Sequence, residues 1–157
     1  VTPKSGLKTA RMLGHRTYLS EELMDSRFGR KFQDEDSKVD EGVNFEVENY
    51  LQYKGSKFSE LFDANTYILM TKAMDEYDAG NPKGLDQALR NIKSELLIIG
   101  FYSDWLYPHQ RGKEIQIAAM NNNIKSSFLV FDGENGHDSF LFSSKEYSNA
   151  IEKFIES

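Results

Sequence analysis

Two residues of this chain sit where proton-transfer chemistry needs them. Asp104 closely follows a brief apolar run over residues 95–101, and His137 follows a second over residues 127–131. The stretches around them, Ser103-Asp-Trp-Leu-Tyr-Pro108 and Gly133-Glu-Asn-Gly-His-Asp-Ser-Phe140, read as loops leaving two strands. A histidine so placed can take a proton from a hydroxyl and return it to a leaving group. A buried carboxylate beside it fixes the tautomer and stabilises the imidazolium. Taken singly, an Asp in a turn is more often a local cap, and a lone His is usually a packing or surface residue. The ordered pair, on consecutive strand-end loops, points instead to an acid and a base. No Gly-x-Ser-x-Gly sequence occurs. Ser103 lacks the flanking glycines, and Ser143 and Ser144 follow the histidine. The nucleophile of such a pair is therefore expected before Val1, in a chain that is a fragment of a larger enzyme.

The elements that must hold the pair follow from periodicity. Residues 85–92 read as a short helix, 95–101 as a buried strand, 109–121 as a helix and 127–131 as a second strand. Tyr147, Ala150, Ile151, Phe154 and Ile155 form a helical apolar stripe. Right-handed crossovers make the strands parallel and bring both loops to one edge of the sheet, where open α/β sheets bind ligands. The rest of that sheet must come from other sequence or from another copy.

Residues 1–84 read as helices. Leu7, Ala10, Arg11 and Gly14 share a face. Ser20 caps a helix whose first turn holds Glu21 and Glu22, and Gly29 closes it. Residues 33–42 read as an acidic, solvated loop. Val43, Val47, Tyr50, Leu51 and Lys54 suggest another helix, stopped by Gly55. Asp63 or Asn65 caps a third pattern through Tyr67, Met70, Met74 and Tyr77, and residues 80–84 (GNPKG) break it.

Composition narrows the function. The 157 residues include 11 Phe and 8 Tyr and are 39% hydrophobic, which supports a packed core. A net charge of −6 argues against nucleic acid or anionic membrane as the main partner. The absence of cysteine excludes a disulfide framework, a thiolate nucleophile and a zinc–thiolate site, and fits a reducing cytosol. No metal site is expected. No signal peptide is apparent, and the longest apolar stretch, residues 96–99, is too short to span a bilayer.

Several ordered motifs resemble the homoserine O-acetyltransferases of the α/β-hydrolase superfamily. Residues 10–18 (ARMLGHRTY) and 26–32 (SRFGRKF) are similar to the start of that family's lid region. Residues 45–58 (FEVENYLQYKGSKF) and 62–75 (FDANTYILMTKAMD) are similar to its next motifs, the latter being the most specific match. Residues 103–108 and 136–141 resemble its acid and base motifs. The resemblance covers nearly the whole chain except the acidic loop. Arg16 and Leu19 depart from it, standing where the family more often has an apolar and a basic residue.

The resemblance implies the C-terminal part of an α/β-hydrolase fold: a helical lid region over residues 1–84, then two parallel strands plus helices over 85–157. It implies acetyl transfer from acetyl-CoA to L-homoserine through an acetyl-serine intermediate, in methionine biosynthesis. Asp104 would be the acid and His137 the base. Arg11 and Tyr18 would line the substrate tunnel, and Asp138 would hold the homoserine ammonium. Acetyl-CoA would be a co-substrate, with no bound cofactor. A cytoplasmic homodimer through the lid helices is expected. A serine or succinyl relative and a plain hydrolase are the enzymatic alternatives. For the isolated chain, expected to be inactive without its nucleophile, a non-catalytic dimerisation module is the other reading.

Overall fold

The computed structural model describes residues 3–33, 45–142 and 144–156. Most of the acidic loop read over 33–42, and Val43, lie outside the described residues. The chain divides into two compact units, Val1–Glu76 and Tyr77–Ser157.

The first unit is helical: α1 (Lys4–Tyr18), α2 (Glu21–Arg27), α3 (Glu46–Leu61) and α4 (Ala64–Glu76). Ser20 caps α2, its hydroxyl accepting from the Leu23 amide at 3.1 Å. Such a cap contributes about 1 kcal/mol by satisfying an otherwise orphaned donor. Gly29 follows α2 with φ +47°, a conformation that favours glycine. Asp63 rather than Asn65 caps α4: its carboxylate accepts from the Thr66 amide at 2.8 Å and the Thr66 hydroxyl at 3.1 Å.

Gly55 does not stop α3, which runs on to Leu61. A Cβ at Gly55 would lie 2.8 Å from both Cγ and the carbonyl oxygen of Lys8, and 3.0 Å from Cγ of Met12. The glycine therefore lets α3 approach the backbone of α1, and buried Leu7 and Ser59 belong to the same helix pair. His15, also buried, sits edge-on to Tyr50 of α3, with ring centroids 5.7 Å apart.

The second unit runs α5 (Leu85–Leu89), β1 (Leu96–Phe101), α6 (His109–Asn121), β2 (Ser126–Phe131), a 3-10 helix (Gly136–Leu141) and α7 (Lys145–Ile155). The strands are parallel, in register from Leu96 opposite Ser126 to Phe101 opposite Phe131. Helix α6 covers one face at close range. A Cβ at Gly112 would lie 2.8 Å from Cε2 of Phe128 and 3.1 Å from Cγ2 of Ile98. A Cβ at Gly100 would lie 2.8 Å from Cβ of His109.

The other face is less covered than the apolar runs suggest. Tyr147 of α7 packs on Phe101 and Phe131, at 5.7 and 5.9 Å between centroids. A cleft lined by Leu97, Leu129, Ala150 and Phe154 separates α7 from the sheet further along, and Leu129 remains 38% exposed. Among the described residues no helix is long and apolar enough to cross a membrane.

Candidate active site

Parallel pairing sets the site. Because Phe101 and Phe131 are register partners, both strands end at the same level and release their loops side by side. The Tyr102 amide donates to the carbonyl of Phe131 at 2.9 Å, extending the ladder by one bond into the first loop.

Asp104 is buried at 8% exposure. Its two oxygens do different work. Oδ1 accepts from the amides of Leu106 at 3.0 Å and Tyr107 at 2.9 Å, which is the local turn cap that such a residue commonly makes. Oδ2 meets Nδ1 of His137 at 2.9 Å. The capping role and the pairing role thus coexist, one on each oxygen. The backbone bonds fix the carboxylate plane, and the plane aims the second oxygen at the imidazole.

His137 opens the 3-10 helix, just after Gly136, whose φ of +65° turns the chain there. Tyr107 and Phe140 flank the imidazole, with centroids at 5.0 and 5.5 Å. With the Nδ1 proton donated to Asp104, the lone pair of the neutral ring lies on Nε2. That is the tautomer able to accept a proton from a hydroxyl. The side chain keeps 24% exposure, so the ring is held but reachable.

Asp138 follows directly and is half-buried. Among the described residues its side chain makes no hydrogen bond or ion pair. Arg11 and Tyr18 lie in the helical unit. The Arg11 guanidinium stacks 4.8 Å from the Phe58 centroid and 5.6 Å from that of Tyr18. Stacking uses the face of the guanidinium and leaves its in-plane donors directed outward. The structure thus joins Asp104 to His137, with Asp138 next in the chain, and joins Arg11 to Tyr18 within the other unit. Among the described residues no group of three or more His, Asp or Glu side chains could hold a metal ion.

Sequence reasoning weighed Ser103 only as a nucleophile, and set it aside, and passed over Ser139. The Ser139 hydroxyl, buried at 3% exposure, accepts from the Asn135 amide at 3.1 Å. The Ser103 hydroxyl donates to the Gly133 carbonyl and accepts from the Gly136 amide at 3.1 Å. Its proton points at a backbone carbonyl rather than at an imidazole, so Ser103 is not an activated nucleophile.

The chain is 41% identical over 99% of its length to the homoserine O-succinyltransferase of Janthinobacterium sp. (strain Marseille). It is a relative of the homoserine O-acyltransferases. It is also 42% identical over 99% of its length to the homoserine O-acetyltransferase of Methanosphaera stadtmanae. The chain spans 41% of the first protein and 32% of the second, so it matches part of each homoserine O-acyltransferase. Among solved structures, the homoserine O-acetyltransferase of Bacillus anthracis superposes with a TM-score of 0.86 at 19% identity, over all of this chain and 42% of that one. The fold is that of part of an α/β-hydrolase. No family model matches the chain.

Proposed function

We propose that this chain supplies the acid and base of an acyl-CoA:L-homoserine O-acyltransferase. The observation that carries the reading is the 2.9 Å contact between His137 and Asp104 on consecutive strand-end loops, in a chain 41% identical to a homoserine O-succinyltransferase. A serine from outside residues 1–157 attacks the thioester carbon as Nε2 of His137 takes its proton. The carbon–sulfur bond breaks, and CoA leaves as the thiol with that proton. The homoserine hydroxyl then gives its proton to His137 and attacks the acyl-serine ester. The bond to serine breaks, serine regains the proton, and O-acyl-L-homoserine is released.

Acetyl-CoA is the donor in this reading. Succinyl-CoA is the second reading, because a relative of nearly equal identity bears that name. Asp138 receives the homoserine ammonium. The in-plane donors of Arg11 receive its carboxylate, with the Tyr18 hydroxyl as a further contact. Residues 1–84 form a lid region and 85–157 belong to the hydrolase core. Residues Ile68, Leu69, Met70 and Met74 of α4, all more than half exposed, support a two-fold dimer through the lid helices.

The test supplies the intact protein with acetyl-CoA or succinyl-CoA and with L-homoserine, L-serine or water. Formation of O-acetyl-L-homoserine, lowered by several orders of magnitude in His137→Ala, is expected. CoA release that does not depend on the acceptor, or transfer that survives His137→Ala, overturns the reading. Light scattering on the same preparation checks the dimer.

A further inference from the structure

We propose that Ser103 is a positioning residue, whose hydroxyl staples the acid-bearing loop to the base-bearing loop and so keeps Asp104 and His137 in contact. The inference rests on the acid–base reading given above. Ser103 precedes Asp104, and Gly136 precedes His137, so the staple lies one residue from each partner. A serine hydroxyl has one proton and two lone pairs. Here the proton goes to the Gly133 carbonyl, and a lone pair takes the Gly136 amide at 3.1 Å. Those two backbone groups bracket the turn that delivers His137, and both glycines have positive φ, +58° at Gly133 and +65° at Gly136.

The turn has little room to find another position. A Cβ at Gly133 would lie 2.7 Å from Cδ1 of Phe101 and 2.8 Å from the Ser139 hydroxyl. Ser139 holds the inner side of the same turn through the Asn135 amide. Ser103 hydrogen-bonds the turn from the other loop at two backbone groups, beside the contact between Asp104 and His137. Without it, the Gly133 carbonyl and the Gly136 amide lose this partner, and the tie between the loops rests on contacts of the imidazole itself, with Asp104 and with the Tyr107 ring among them.

The experiment uses the intact protein with Ser103→Ala, Ser103→Thr and the double variant Ser103→Ala/Asp104→Asn. Removing two net hydrogen bonds should lower kcat about 10–30-fold, with both KM values nearly unchanged. Ser103→Thr, which keeps the hydroxyl, should restore most of the rate. Adding Ser103→Ala to Asp104→Asn should cost far less than it does alone, because the pair it positions is already uncoupled. Proton NMR gives a readout that needs no turnover: a downfield Nδ1 proton of His137, present in the parent, lost or broadened in Ser103→Ala and kept in Ser103→Thr. Should Ser103→Ala not fold, Ser103→Cys, close in size with only a weak donor, carries the same test. Persistence of the resonance in the variant, or additive losses in the double variant, overturns the staple. A resonance that behaves as expected in a protein that transfers no acyl group overturns the acyltransferase reading and leaves the staple standing.

Discussion

Asp104→Asn and Asp104→Ala, compared in the intact protein, separate the two jobs of one carboxylate. An Asn side chain can keep an oxygen at the Oδ1 position for the amides of Leu106 and Tyr107, 3.0 and 2.9 Å away. Its amide nitrogen then faces Nδ1 of His137 and donates to it, forcing the ring proton onto Nε2. The imidazole cannot then accept the hydroxyl proton. A tautomer reversal of this kind lowers kcat by about 10⁴. That factor equals roughly 5.4 kcal/mol in the activation barrier. Folding stability should change little, since the turn bonds survive. The Ala variant removes both oxygens and leaves two backbone donors without partners at a site that is only 8% exposed. Each orphaned donor costs about 1–3 kcal/mol, so the turn itself is destabilised. CoA release followed with a thiol reagent, together with calorimetric Tm, reads both effects. Asn should be inactive with a near-parental Tm, and Ala inactive with a clearly lowered one. Turnover in the Asn variant within tenfold of the parent, or an unchanged Tm in the Ala variant, refutes the division of labour.

Three more outcomes are expected. Gly55→Ala should lower stability by about 1–3 kcal/mol through overpacking against α1, outweighing the roughly 1 kcal/mol that alanine gains in a helix interior; Gly6→Ala in α1, where a Cβ meets nothing within 4 Å, should not destabilise, and Tm reads both. Asp138→Ala should weaken acyl transfer to homoserine more than acylation of the enzyme, as single-turnover kinetics on each half-reaction would show; equal damage would assign Asp138 a structural role beside His137. Hydrogen bonds from the Thr66 amide, then from its hydroxyl, hold the Asp63 carboxyl below its ordinary range. The folded value is depressed, so the cap's contribution is present above the unfolded value of about 3.9 and is lost as pH falls through the folded one; circular dichroism should show a loss of helicity in that acid window that Asp63→Asn does not share.

How much was legible depended on whether the relevant partner was local. Asp104 and His137 could be placed because an apolar run followed by polar residues marks a strand end, and two parallel strand ends share an edge. The cap at Asp63 was legible as one of two candidates, since capping is a three-residue affair. Gly55 was misread because glycine serves both as a helix terminator and as a point of close approach. The neighbours that decide between these roles, Lys8 and Met12, lie more than forty residues away. The bridging role of Ser103, weighed in the sequence only as a nucleophile, was illegible for the same reason: it binds backbone atoms, which carry no residue identity, thirty and thirty-three positions later. The strands looked buried on both faces because an apolar run reports what a surface requires, not how much of it these residues cover.

The register of the two strands also says where this chain can change length. Asp104 and His137 are thirty-three positions apart, yet their separation is set by the pairing of Phe101 with Phe131 and by a few loop residues beyond it. The intervening helix and its turn back into β2 are off that path. An extra residue between Asn121 and Lys125 would be absorbed as a longer connection, provided the ladder kept its pairing. A slip of the ladder by one residue would carry His137 about 3.3 Å past Asp104 and break the contact. Insertions and deletions among functional versions of this segment should therefore gather at the far end of the sheet and avoid the stretches between β1 and Asp104 and between β2 and His137.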